Sequence, residues 1–127
     1  MCNNDIPQTF FDMLPIPIAI TKELPNDLNF PLVFLNQAFT LVIGWDLTDI
    51  PDKNTWWKTV YPDKDYAKVV ERQWELAVLS AQETGEGFIS IDVNLQTKYH
   101  GVKRFKVYTQ IDSVLMPGYY VVAFQAL

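Results

Sequence analysis

Hydrophobic and polar positions follow two different periods along this chain. In the last third, apolar positions alternate with polar ones in two segments: Ile89, Ile91, Val93 and Leu95, then Phe105, Val107, Thr109 and Ile111. A further run, YYVVAFQA, has a long apolar centre. A period of two is typical of β-strands with one buried face. The pattern therefore predicts three consecutive antiparallel strands, with turns at His100–Gly101 and Pro117–Gly118.

In the middle of the chain the period becomes helical. From Asp65 onward one helix face collects apolar residues: Tyr66, Val70, Trp74, Ala77, Val78 and Ala81. This spacing predicts an amphipathic helix, with Asp63 or Asp65 as the cap at its start and Gly85 at its end. The segment before it, DLTDIPDKNTWWKTVYPDKDY, contains several turn residues and predicts short helical turns separated by loops.

The first third predicts two strands and two short helices. IPIAITK and PLVFLN are short β-rich runs joined by the turn cluster PNDLN, so residues 16–36 predict a hairpin with an extended connection. After Asn36 the spacing turns helical until Gly44, which makes Asn36 a natural N-cap. The polar pair Asn36–Gln37 therefore has a structural interpretation. Upstream, residues 6–14 predict a short amphipathic helix, with Pro7 in its first turn and Pro15 at its end.

The order strand, strand, helices, strand, strand, strand predicts an α+β fold. We expect one five-stranded antiparallel sheet with helices packed on one face. A chain of 127 residues fits a single domain. We assign residues 15–127 to that domain and residues 1–14 to an amphipathic flanking segment.

Composition and charge exclude several classes of function. The formal net charge of −5 opposes the basic surface that nucleic-acid binding requires. Because the apolar runs are short, we expect neither a membrane span nor membrane contact. We also expect no signal peptide at the start of the sequence. The expected location is the cytoplasm. Cys2 is the only cysteine, so neither an internal disulfide nor a cysteine-based metal cluster is expected.

The element order and several motifs together resemble a PAS domain, the sensory-box domain of bacterial signalling proteins. The motifs are FLNQAFTLVIGW followed by DLTDIP, WWKTVYPDKDY leading into the helix with Trp74, and the closing HGVKRF and YYVVAF. The resemblance covers the chain from about Phe10 to Gln125. It implies a sensory or dimerisation module, attached in the full-length protein to a downstream output domain such as a diguanylate cyclase or a sensor histidine kinase.

The resemblance also lets cofactors be considered one by one. Flavin-binding members carry a cysteine in an Asn-Cys-Arg-Phe-Leu run on a central helix, which this sequence lacks. Haem-binding members need a histidine on a central helix, whereas His100 is predicted in a hairpin turn. Cys2 precedes the domain, so it does not match the chromophore cysteine of the yellow photoactive members. We expect neither a cofactor nor a metal; an unknown small-molecule ligand is the alternative.

The resemblance implies a ligand pocket between the sheet and the helices. An aromatic and mostly apolar cavity would be lined by six residues: Phe39, Trp57, Trp74, Phe105, Val107 and Thr109. Arg104 and Tyr108 alternate onto the opposite face of their strand. The alternative is that these aromatic side chains fill the core and leave no cavity.

Two alternative functions remain open. One is a ligand-free dimerisation module, in which the flanking segment with Phe10, Phe11, Met13 and Leu14 forms a homodimer together with the outer face of the sheet. The other is a cone-shaped α+β enzyme of the isomerase or dehydratase type, which would need a buried acid with a shifted pKa. The sequence lacks a nucleophile elbow and a glycine-rich phosphate loop, and Asp63 and Asp65 are explained as helix caps. We therefore expect the domain itself not to be an enzyme.

Overall fold

The computed structural model describes residues 8–110 and 118–127. A 3₁₀-helix, Gln8–Met13, precedes eight elements in the predicted order. These are β1 (Ile18–Lys22), β2 (Leu32–Leu35), α1 (Gln37–Val42), α2 (Lys53–Val60), α3 (Lys64–Thr84), β3 (Phe88–Gln96), β4 (Val102–Gln110) and β5 (Tyr119–Ala126). The predicted α+β fold is confirmed. The predictions that concern Cys2, Ile6, Pro7, Ile111, Pro117 and the side chain of Phe10 lie outside the described residues.

The five strands form one antiparallel sheet in the order β2-β1-β5-β4-β3. The last strand of the sequence therefore lies in the centre, between β1 and β4. The register aligns Ala19 with Val122, Val107 with Phe124, and Ile91 with Val107. These side chains share the inner face of the sheet, where the helices pack and the hydrophobic core lies.

Side-chain caps set where the helices begin. The Oδ1 atom of Asn36 accepts a hydrogen bond from the N–H of Phe39 at 3.0 Å, and Asp52 accepts one from Thr55 at 2.8 Å. Asp63 caps α3, and Gly85 ends it with a φ of 77°. The predicted roles of Asn36, Asp63 and Gly85 are confirmed; of the two cap candidates for α3, Asp65 lies in the first turn instead.

The segment before β1 is a 3₁₀-helix in its described part, a tighter helix than the one predicted. Its last turn closes with a bond from the N–H of Leu14 to the carbonyl of Phe11 at 3.2 Å. Phe11 packs against Phe34 of β2, with ring centroids 6.3 Å apart. Met13 and Leu14 remain 78% and 43% exposed, so the segment still presents apolar side chains to its surroundings.

Candidate functional site

An aromatic cluster fills the space between the inner face of the sheet and the first two helices. Phe39 of α1 lies 6.1 Å from Trp56 of α2 and 5.7 Å from Phe124 of β5, measured between ring centroids. Trp56 and Phe124 are 5.6 Å apart, and Phe105 of β4 is 6.4 Å from Phe124. At these separations the rings are in direct contact. The centre of the domain is therefore a continuous aromatic core.

A second aromatic row runs from α2 to the start of α3. Trp57 lies 5.0 Å from Tyr61, and Tyr61 lies 6.2 Å from Tyr66. Tyr61 is buried, and its burial raises the pKa of the phenol well above the usual range. The Tyr66 hydroxyl accepts a hydrogen bond at 2.7 Å from the N–H of Asn94 on β3. This row therefore connects the helices to β3, one of the two outer strands of the sheet.

The structure brings five of the six predicted pocket residues into one hydrophobic cluster. Phe39, Phe105 and Val107 are buried members of it, and Trp57 and Trp74 pack against it half-buried. Thr109 lies on the same face of β4, but its hydroxyl already donates to the carbonyl of Val121 at 2.9 Å. Arg104 is exposed and Tyr108 is half-buried, and both alternate with the buried residues of β4. A ligand-binding role for the six residues stays a prediction.

The sequence analysis missed three members of the aromatic interior: Trp56, Tyr61 and Phe124. Phe124 could have been found, because it alternates with Val122 on a strand whose neighbours share the inner face. Trp56 and Tyr61 are harder to assign, because α2 has only eight residues and two adjacent tryptophans point in different directions on it.

The Gly-Trp pair after α1 holds the loop between β3 and β4. The indole N–H of Trp45 donates to the carbonyl of Gln96 at 2.9 Å, and the N–H of Lys98 donates to the carbonyl of Ile43 at 2.9 Å. The Lys98 ammonium lies 2.8 Å from the Asp49 carboxylate and 5.9 Å from the Trp45 ring centroid. The motif FLNQAFTLVIGW therefore has a structural role at both ends, through Asn36 and through Gly-Trp.

The remaining chemical candidates are also in structural positions. His100 is exposed in the loop between β3 and β4, and its backbone N–H donates to the Thr97 hydroxyl at 2.9 Å. Within residues 8–110 and 118–127 there is no group of three or more His, Cys, Asp or Glu that could hold a metal ion. In the same ranges, no helix combines the length and the apolar character that crossing a membrane requires.

Comparison of the sequence with protein-family models and with curated proteins gave no match. Comparison with solved structures gave matches at low sequence identity. The PAS domain, in complex with ethanol, of a LuxR-family transcriptional regulator from Burkholderia thailandensis has a TM-score of 0.64 and 15% identity. That match covers 97% of this chain and 98% of the other. A PAS domain from Colwellia psychrerythraea has a TM-score of 0.60 and 12% identity, covering 92% and 90% of the two chains.

A light-oxygen-voltage (LOV) protein from Rhodobacter sphaeroides matches with a TM-score of 0.66 and 14% identity. The match covers 94% of this chain, which spans 64% of the length of the LOV protein. These structures share the five-stranded antiparallel sheet and its helices with this chain. Identities this low show a common fold only. What those proteins bind is therefore not transferred to this chain. The chain described here has the fold of a PAS domain.

Proposed function

We propose that this chain is a sensory or regulatory PAS domain of a bacterial signal-transduction protein, with a diguanylate cyclase or a histidine kinase as its output module. In this proposal the domain forms a homodimer through the flanking segment and the outer face of the sheet, and a change at that interface reaches the output module. The domain acts in the cytoplasm and performs no catalysis itself. The observation that carries the proposal is the attachment of the flanking segment to the sheet at Asn36.

Asn36 joins three parts of the chain. Its Nδ2 atom donates to the carbonyls of Phe11 and Ile16, each at 2.9 Å, and its Oδ1 atom accepts from the N–H of Ile18 at 2.8 Å. The Asp12 carboxylate accepts a bond from the N–H of Gln37 at 2.7 Å. The backbone of the segment is therefore held firmly, at the junction between β2 and α1.

The same segment leaves apolar side chains uncovered. Met13 and Leu14 are 78% and 43% exposed, and Ile16, just after the segment, is 41% exposed. A segment whose backbone is fixed presents such side chains in one defined arrangement, which lowers the entropy cost of binding a partner. An interface built on this segment would be coupled to α1 through Asn36, and through α1 to the aromatic core.

A small-molecule ligand is the second candidate function, and the half-buried tryptophans favour it. Trp57 and Trp74 lie at the boundary of the core, while Phe39 and Phe105 are fully enclosed. Since aromatic rings occupy the interior, a ligand would enter only by displacing side chains at this boundary. The ligand expected from the lining is small and mostly apolar.

The dimer is tested by the mass of the protein in solution. Multi-angle light scattering is applied to the wild type, to the double variant Met13→Ser with Leu14→Ser, and to Leu28→Ser. Leu28 is 83% exposed and lies in the connection between β1 and β2, so it serves as a matched apolar control. We expect the double variant to lose the dimer and the control to keep it. An unchanged dimer in the double variant would contradict the proposal. Unlike deletion of residues 1–14, these substitutions keep the backbone bonds to Asn36 and Gln37.

The ligand is tested by native mass spectrometry of the purified domain, with the same sample denatured as the control. A mass excess that disappears on denaturation indicates a bound molecule. Trp57→Ala, Trp74→Ala and Thr109→Val are then expected to reduce its occupancy, whereas Leu28→Ala is expected to keep it. A sample without excess mass, at every protein concentration used, favours the ligand-free dimerisation module.

A further inference from the structure

The free edge of β3 is open along its first half and closed along its second. On an edge strand, the backbone groups of alternate residues point away from the neighbouring strand. The N–H of Asn94 donates to the Tyr66 hydroxyl at 2.7 Å, and the carbonyl of Gln96 accepts from the Trp45 indole at 2.9 Å. By the same alternation, Ser90 and the residues two positions to either side of it point their backbone groups outward. Among residues 8–110 and 118–127 no side chain caps these groups, so another strand can pair with β3 as far as Asn94.

Two adjoining open grooves, of about 360 Å³ and about 500 Å³, follow the open half of the edge. Ala77 of α3 and Ser90 of β3 line both grooves. Leu76 of α3 lines the second groove and is 53% exposed. An extended segment of about four residues, which is about 13 Å long, therefore has room to lie along β3 with α3 beside it.

The two ends of the open half carry opposite charges. Glu86 lines the groove at the start of β3, and Arg104 and Lys106 of β4 reach across β3 to line the groove at the other end. The ammonium of Lys106 lies 2.9 Å from the carboxylate of Asp92, so these two charges compensate one another. Arg104 donates to the Oδ1 atom of the neutral Asn94 at 3.0 Å and has no ion pair within residues 8–110 and 118–127. Its guanidinium therefore retains free donors and an uncompensated positive charge where the edge closes.

We infer that this edge binds the free C-terminal end of a partner polypeptide, extended and parallel to β3, with its terminal carboxylate on Arg104. Tyr66 and Trp45 occupy the next outward groups of the edge, so a bound strand must stop at Asn94. A chain end meets this requirement, whereas an internal segment would have to bend away. The antiparallel direction would place the negative chain end beside Glu86, where like charges repel. Arginine matches a carboxylate through two parallel N–H···O bonds.

Two further contacts define the chemistry of this partner. Its backbone gains hydrogen bonds to the outward groups of Ser90 and Asp92, whatever its sequence. Alternate side chains of a bound strand face α3, where Leu76 and Ala77 favour apolar residues. The partner is therefore recognised by apolar residues at alternate positions and by its terminal carboxylate. This site lies on an edge of the sheet and goes beyond the proposed homodimer, on which it does not rest.

The inference is tested with a synthetic peptide, acetylated Ser-Thr-Val-Thr-Val with a free C-terminus, and with the same peptide as a C-terminal amide. Residues branched at Cβ favour the extended conformation. Amide NMR spectra of the isotope-labelled chain, titrated with each peptide, give the dissociation constant and the residues affected. We expect the free acid to bind with a dissociation constant below about 1 mM, the amide to bind about tenfold or more weakly, and the shifts to centre on Ser90 and Asp92. Equal binding of the two peptides, or no binding of either up to about 5 mM, would overturn the inference.

Arg104→Gln tests the contact with the carboxylate. We expect it to weaken binding of the free acid about tenfold or more and to leave the amide within about twofold, so that the two peptides bind alike. Lys103→Gln is the matched control, because it removes the same charge from an exposed residue that alternates with Arg104 and lines neither groove. It should preserve the preference for the free acid. A preference that survives Arg104→Gln would show that the carboxylate does not bind there.

Ser90→Pro tests the strand pairing. Proline removes the outward N–H of Ser90 and leaves the bonds between β3 and β4 in place, which is why proline is tolerated on edge strands. We expect Ser90→Pro to weaken the binding of both peptides about tenfold or more, and Ser90→Ala, which keeps the N–H, to stay within about threefold of the wild type. The amide spectra verify that both variants are folded. A folded Ser90→Pro variant that binds the free acid as the wild type does would show that the edge of β3 is not the site.

Discussion

The backbone of Gly44 lies directly against the side chain of Lys98. A Cβ atom at Gly44 would stand 3.0 Å from the Cβ of Lys98 and 3.1 Å from the Tyr99 ring. Gly44 also has a φ of 93°, a backbone conformation that side chains with a Cβ rarely adopt. Two independent features therefore require glycine where α1 meets the loop between β3 and β4.

Gly44→Ala is expected to lower the free energy of unfolding by about 2 to 3 kcal/mol, of which about 1 comes from the positive φ and the rest from the steric contact. Gly85→Ala is the matched control. Gly85 has a φ of 77° but no atom within 4 Å of its Cβ position, so only the conformational cost applies. Urea unfolding of both variants measures the difference. Equal losses of unfolding free energy in the two variants would mean that the loop between β3 and β4 moves away from the methyl group added at Gly44.

Asn36→Ala is expected to lower the free energy of unfolding by about 3 kcal/mol. The substitution removes the cap of α1 and leaves the N–H of Ile18 and the carbonyls of Phe11 and Ile16 without their partner. Asn36→Ser restores the cap alone and should recover about 1 kcal/mol. Chemical unfolding measures both. A loss below about 1 kcal/mol for Asn36→Ala would show that water replaces the amide.

The fold was predictable from the sequence because its signals are local and agree with one another. The alternation in β3 and β4 and the helical spacing in α3 each identify an element, and Asn36, Asp63 and Gly85 mark helix boundaries by chemistry that acts within a few residues. The position of β5 between β1 and β4 is different, because strand order depends on contacts between residues far apart in sequence. No pattern within a single segment contains that order, and it was not among the predictions made from the sequence.

The candidate site was only partly predictable for the same reason. Inward-facing residues on β4 follow from alternation, so Phe105 and Val107 were assigned correctly to the inner face. Whether inward aromatic rings leave a cavity depends on how side chains from four elements meet. Trp56 and Phe124 close the space beside Phe39, and no periodicity in a single segment contains that information.

Acid is expected to weaken the structure around α2 and the turn before it. The Thr48 hydroxyl is the main group that lowers the pKa of Asp46, and the N–H of Thr55 is the main group that lowers the pKa of Asp52. A carboxylate with a lowered pKa in the folded state contributes stability that is present above its unfolded value and is lost as the pH falls through the folded one. The unfolded values are 3.8 for both, so the loss should begin near pH 4.

The double variant Asp46→Asn with Asp52→Asn tests this dependence. Asparagine keeps an oxygen that can cap a helix but does not titrate in this range. We expect the variant to be less stable than the wild type at pH 7 and the difference to shrink toward pH 3. Urea midpoints at half-unit steps of pH measure it. A difference that stays constant with pH would assign the effect to hydrogen-bond geometry rather than to charge.

Phe105→Ala is expected to lower the free energy of unfolding by about 4 kcal/mol, because it opens a cavity in the fully buried aromatic core. Phe88→Ala, measured at low protein concentration, is the control. Phe88 is 66% exposed, so Phe88→Ala should lower the free energy of unfolding by no more than about 0.5 kcal/mol.

The apolar cavity that Phe105→Ala opens is of a kind that binds small aromatic molecules, so benzene should raise the melting temperature of this variant. It should leave the wild type unchanged, since Trp56 and Phe124 already fill the interior. Stabilisation of the wild type by benzene would mean instead that the core opens around Trp57 and Trp74, and would favour the ligand-binding function over the ligand-free module.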